Sequence, residues 1–163
     1  MVSFRADPVR VRVPATSANL GPGFDALGLA LGVYDHVTAR VAAGDSITVR
    51  VTGEGAGELS GDVTHLVASS AIAAFERMGR FPPGVDIDCV NAIPQARGLG
   101  SSSAAIVAGI LVARSLTVGG DGLLDAADVL RLASEIEGHP DNVAPCLLGG
   151  FTVAWLDTAG ARA

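Results

Sequence analysis

Apolar residues alternate with arginines at the start of the chain, Val9, Val11 and Val13 against Arg10 and Arg12. A period of two marks a half-buried strand, and Pro14, with no N–H to give a ladder, is expected to close it. A Gly/Pro-rich turn follows. Leu27 to Val41 is apolar, rich in small residues and interrupted by Gly28 and Gly32, which fits two strands or one long bent strand better than a helix. Alternation resumes at Ile47, Val49 and Val51 and stops at Gly53; Gly53, Gly55 and Gly57 lack the downstream features of a dinucleotide site and read as a turn.

Helical spacing appears next. Thr64 is the expected cap of a helix reaching Met78, where Gly79 stops it. Val85, Ile87 and Cys89 predict another strand, left at Pro94, and the run Ala104 to Arg114 predicts a helix that is apolar all round and therefore buried. Asp125 should cap a further helix with Val129, Leu132, Ala133 and Ile136 on one face, terminated by Gly138 and Pro140. Phe151, Val153 and Trp155 alternate with Thr152, Ala154 and Leu156, which predicts a last strand covered on both faces. The order of elements is that of an α+β fold without repeats, a single domain over residues 1–163.

Composition narrows the function. Of the 163 residues, 49% are hydrophobic and 17% charged, against about 25% charged in an average globular chain, so polar cover is thin. A further stretch of polypeptide or a homodimer partner would supply the missing cover. A net charge of −6 with no run of Lys or Arg speaks against nucleic acid and for a small-molecule partner. No apolar stretch is long enough to span a bilayer, so the expectation is a cytoplasmic protein without a membrane partner. Cys89 and Cys146 lack metal-ligand spacing and read as reduced core residues.

The chemistry concentrates at Gly98-Leu99-Gly100-Ser101-Ser102-Ser103, between a predicted strand and a predicted helix. Glycine lets a backbone approach phosphate closely, and the first amides of a helix have no intrahelical partner. Serine hydroxyls add donors and can ligate Mg²⁺, and the helix dipole favours an anion. No lysine follows, which excludes a Walker A loop. A Gly-rich turn ending in Ser is also an ordinary helix start, although three adjacent serines exceed what capping needs.

Read together, VPATSANLGPGFDALG at 13–28, PQARGLGSSSA at 94–104 and EGHPDNVAPCLLGG at 137–150 resemble the GHMP kinases, and within them most closely the branch that phosphorylates homoserine. The resemblance implies an N-terminal ATP-binding domain with a mixed, mostly antiparallel sheet and helices packed on one face. It implies transfer of the ATP γ-phosphoryl group to the side-chain hydroxyl of L-homoserine, with Mg²⁺. Carried over residue by residue, it assigns Pro94, Gly98, Leu99, Gly100, Ser101, Ser102, Ser103 and Ala104 to the triphosphate. Ser102 and Glu137 fall to the metal, Asn19, Asp25, His139 and Asn142 to the amino acid, and Asp141 to the position of a general base, which phosphoryl transfer can do without.

Arg97 is the basic residue beside the loop and could meet phosphate or simply project into solvent, the commoner fate of an arginine. Glu135 and Glu137 are two residues apart, so on a helix they point roughly 160° from each other and only one reaches the site; the resemblance selects Glu137. The family's second half, with arginines for the substrate carboxylate, is absent from these residues, so the chain alone is expected to be weakly active or inactive. A GHMP kinase for mevalonate, shikimate or a sugar, and a module that binds nucleotide without catalysis, are the competing readings.

Overall fold

The computed structural model describes residues 4–163. Strands β1 (Val9–Leu20) and β2 (Gly23–Ala42) form an antiparallel hairpin turning at Gly21-Pro22. Pro14 therefore does not end the first strand. β1 lies at the edge of its sheet, where one side of the backbone makes no ladder, and a register shift between Pro14 and Thr16 absorbs the proline. The stretch from Leu27 to Val41 is a single strand.

β3 (Ile47–Gly53) leads through a turn into α1 (Leu66–Met78), which crosses to β4 (Gly84–Asn91), parallel to β3. The cap of α1 is His65 rather than Thr64: the Val67 N–H donates to His65 Nδ1 at 3.2 Å, whereas the Thr64 hydroxyl is already engaged with Asp62 and Ser60 at 2.7 and 2.8 Å. Gly79, at φ 62°, ends the helix as expected.

α2 (Ser101–Leu116) begins at the serines. It crosses α1 closely at Gly109, where a Cβ would overlap the Val67 carbonyl and sit 2.9 Å from Ser70 Cβ, so the helix cost of glycine is repaid by the close approach. A short α3 (Gly120–Leu123) precedes α4 (Ala126–Glu137), which carries a full capping box between Asp125 and Asp128. In α4 the buried stripe is Val129, Leu130, Leu132, Ala133 and Ser134, and Ile136, expected inside, is 37% exposed. The sequence did not signal α5 (Val143–Leu148); its Pro145 sits in the first turn, where a proline forfeits no intrahelical bond.

β5 (Phe151–Val153) pairs with β2 at Leu27–Leu29, and the chain then breaks at Ala154 into a separate hairpin of β6 (Trp155–Asp157) and β7 (Gly160–Arg162). The expected continuous, doubly covered strand is thus two strands in two sheets. Phe151, Val153, Trp155 and Leu156 are half or more exposed, because among the described residues no element covers their outer side.

The main sheet runs β1-β2-β4-β3, with β5 on the far part of β2. It is antiparallel except for the β3–β4 pair. Val13, Val37, Ala39, Val85, Ile87 and Cys89 face the helices and are buried. The opposite face is polar, with Arg40 paired to Asp86 and Arg50 to Asp88 across the strands, exposed pairs of the kind that contribute about 0–1 kcal/mol each. Cys89 and Cys146 are buried and unpaired, and burial pushes both thiols up to about 12. No helix among the described residues is long and apolar enough to cross a membrane.

Candidate active site

β2 serves two neighbours on one edge, β4 along His36–Ala42 and β5 along Leu27–Leu29. Between those pairings the chain leaves β4 and runs past β1 into α2. Asp35 steadies this exit: its buried carboxylate accepts the N–H groups of Ala92 and Ile93 at 2.7 and 2.9 Å. Burial outweighs those two bonds and raises its pKa above the ordinary carboxylate value.

The glycine-serine loop then climbs through two left-handed glycines, Gly98 at φ 70° and Gly100 at φ 67°. Gly100 is the cap residue of α2, and no side chain caps the helix. The serine hydroxyls turn elsewhere: Ser102 and Ser103 donate to the two carboxylate oxygens of Glu137 at 2.7 and 2.9 Å. The first amides of α2 are left to an anion. Pro94 and Leu99 are half-buried in the approach to the loop and Ala104 is buried behind it, while Arg97 is exposed, its guanidinium bonded only to the Ala96 carbonyl.

Glu137 is the last residue of α4, where the dipole of its own helix disfavours a negative charge. Two hydroxyl donors and the start of a second helix hold it there, so its place is set by the loop it faces. Glu135 points away and pairs with Arg77 on the surface, 2.6 Å apart, which matches the 160° argument. Oxygen from Ser102 and carboxylate oxygen from Glu137 are donors that suit a hard divalent cation. Among the described residues no group of three or more His, Cys, Asp and Glu side chains could hold a metal by itself.

Beyond Gly138, Asp141 is fully buried; its Oδ1 is shared by His139 Nδ1 and the Asn142 N–H, and its Oδ2 has no partner. The Asn142 side chain accepts a hydrogen bond from Thr16 on β1. The structure thus brings Ser102, Ser103, Glu137, His139, Asp141 and Asn142 around the start of α2. Asn19 and Asp25 lie at the tip of the β1–β2 hairpin, where the Asp25 N–H donates to Asn19 Oδ1 at 2.9 Å. Both are left-handed, at φ 57° and 53°, a conformation asparagine and aspartate tolerate better than other side chains.

A cavity of about 360 Å³ opens beside the loop, largely apolar, walled by Val37, Thr64, His65, Asn91, Ile93 and Ala108 among others. It is close to the lower size of small-molecule pockets and borders Ser101 and Ser102. Thr16 was not singled out, since nothing in PATSAN distinguishes one buried hydroxyl from its neighbours.

Residues 65–150, more than half of the chain, match the family profile of the GHMP kinases N terminal domain. The chain belongs to the GHMP kinases. Relatives in this family agree over almost all of it: a homoserine kinase of Streptomyces avermitilis is 60% identical over 99% of the chain. A homoserine kinase structure from Cytophaga hutchinsonii is 33% identical over 90% of the chain, with a TM-score of 0.75. A mevalonate kinase structure from L. major shares the fold, with a TM-score of 0.73 over 99% of the chain at 12% identity. The chain spans about half the length of these proteins, 52%, 48% and 54% respectively.

Proposed function

We propose that the protein transfers the γ-phosphoryl group of ATP to the side-chain hydroxyl of L-homoserine, giving O-phospho-L-homoserine, a reaction that serves threonine biosynthesis. The observation that carries this reading is the Glu137 carboxylate seated on the Ser102 and Ser103 hydroxyls at the uncapped start of α2. Membership of the GHMP kinases and the homoserine kinase name of the 60% identical relative support the choice of substrate.

In this reading the amides from Gly98 to Ser103 and the dipole of α2 receive the triphosphate, and the cavity beside them takes the nucleoside. Ser102 and Glu137 would hold Mg²⁺, which supplies neutralisation of the phosphate charge. His139 and Asn142 meet the amino acid on the other side of Glu137, and Asn19 and Asp25 approach it from the hairpin tip, the aspartate as partner of the ammonium group. Asp141 is too deeply buried to receive the hydroxyl proton directly; its carboxylate instead fixes the ring of His139. Transfer through a loose transition state requires chiefly alignment and charge neutralisation, so no strong base is needed.

The test is a coupled assay of ADP release from the full-length protein with homoserine, mevalonate and galactose offered separately. Turnover with homoserine at least a hundredfold above the other two is expected. Preference for either competitor overturns the substrate, and nucleotide binding without turnover on any of the three overturns the catalytic reading.

A further inference from the structure

Thr16 has no side-chain exposure and touches both halves of the site. Its N–H donates to the Leu99 carbonyl at 3.0 Å, which anchors the glycine-serine loop to the edge of β1. Its hydroxyl donates to Asn142 Oδ1 at 2.8 Å, across 126 residues of sequence. Between these two bonds lies Gly100, where a Cβ would overlap Thr16 Oγ1 and come within 3.3 Å of Asn142 Oδ1. One residue of an edge strand therefore meets the loop that leads into α2 and the asparagine that precedes α5.

The hydroxyl also decides how Asn142 is presented. With Oδ1 occupied by Thr16, the free face of the amide is Nδ2, a donor. A donor there suits an oxygen acceptor on a bound ligand, and the backbone of Asn142 is held in turn by Asp141.

We infer that Thr16 is a positioning residue, coupling the phosphate loop to Asn142 so that the two substrates of the proposed transfer are held in one register. The inference rests on the functional reading above for what is aligned, but the coupling itself is a property of three residues. Loss of the hydroxyl leaves the loop anchored through the Thr16 N–H and frees the Asn142 amide to rotate. The consequence falls on alignment more than on nucleotide affinity.

The experiment compares T16V, which keeps the shape and removes the donor, with T16S, which keeps the donor, in the full-length protein. T16V is expected to lower kcat with homoserine about tenfold and to raise KM for homoserine, with KM for ATP within about twofold of the parent. T16S is expected to restore kcat to within about threefold of the parent. The Asn142 side-chain amide resonances should shift in T16V and coincide with the parent in T16S, a readout independent of which substrate the protein takes. Unchanged kcat and unchanged Asn142 resonances in T16V overturn the inference, as do equal losses in T16V and T16S. A loss in T16V explained entirely by a lower folded fraction also overturns it. A parent without turnover on homoserine defeats the substrate reading alone, and the resonances then decide the coupling.

Discussion

Gly98 and Gly100 share a left-handed backbone but not a neighbourhood, and the pair separates conformational from steric cost. An alanine at Gly98 meets nothing within 4 Å, so G98A bears only the left-handed penalty, about 1–2 kcal/mol. An alanine at Gly100 bears the same penalty and collides with Thr16 Oγ1. Relief of that overlap requires Thr16 to move, at roughly 1–3 kcal/mol for overpacking and a similar amount for a buried hydroxyl deprived of its partner. The sum for G100A is about 3–8 kcal/mol.

Urea denaturation followed by far-UV circular dichroism measures the difference, and calorimetry with an ATP analogue reads the loop. In the T16A background the oxygen that causes the collision is gone, so the double substitution T16A/G100A should cost at least 1 kcal/mol less than the sum of the singles. Equal destabilisation by G98A and G100A, or additivity in the double, would refute the steric argument.

Three further outcomes are expected. E137Q leaves the serines a neutral partner and should lower kcat by at least about a hundredfold while raising the Mg²⁺ concentration needed for half-maximal rate, measured by Mg²⁺ titration of the coupled assay. Burial raises the folded pKa of Asp35, so the folded state binds that proton more tightly than the unfolded one. Stability from this group is present below the ordinary value of 3.8 and is lost as pH rises through the folded pKa. D35N, which keeps the acceptor for Ala92 and Ile93, should therefore have a Tm at or above the parent's at pH 7, with the advantage shrinking towards pH 4; a lower Tm at pH 7 would contradict this. Cys89 and Cys146, with thiols pushed up to about 12, should react with a disulfide reagent only as fast as the protein unfolds, followed by absorbance.

Much of this architecture could be read from local pattern because the cause was local. Alternation marked β3 and β4, glycine at 79 and 138 closed two helices, and Asp125 capped α4 as its neighbours required. The misreadings turn on partners that the apolar pattern does not reveal. Pro14 ends a strand only if its missing N–H is needed, and that depends on β1 being at the sheet edge. His65 caps α1 because Thr64 is taken by Asp62, a competition among three neighbouring side chains. The apolar terminal stretch breaks at Ala154, whose N–H donates to the Ala26 carbonyl at 2.8 Å, a long-range bond without local warning. At the site, spacing allowed only one of Glu135 and Glu137 to reach the loop and the family resemblance chose Glu137, whereas the bond from Thr16 to Asn142 required the fold.

That bond has a bearing on how the chain reaches its native state. The β1–β2 hairpin closes locally, but β4 and β5 must each find the same edge of β2 after long excursions, and Thr16 meets Asn142 only when both have docked. Closing such loops is slow compared with forming hairpins and helices. The finished cradle, with Asn142 held in register beside the loop, is consequently expected among the last parts of the molecule to form. A ligand that requires the finished cradle draws the population toward completion by mass action, so in a cell rich in such a ligand occupancy and maturation of the site would proceed together.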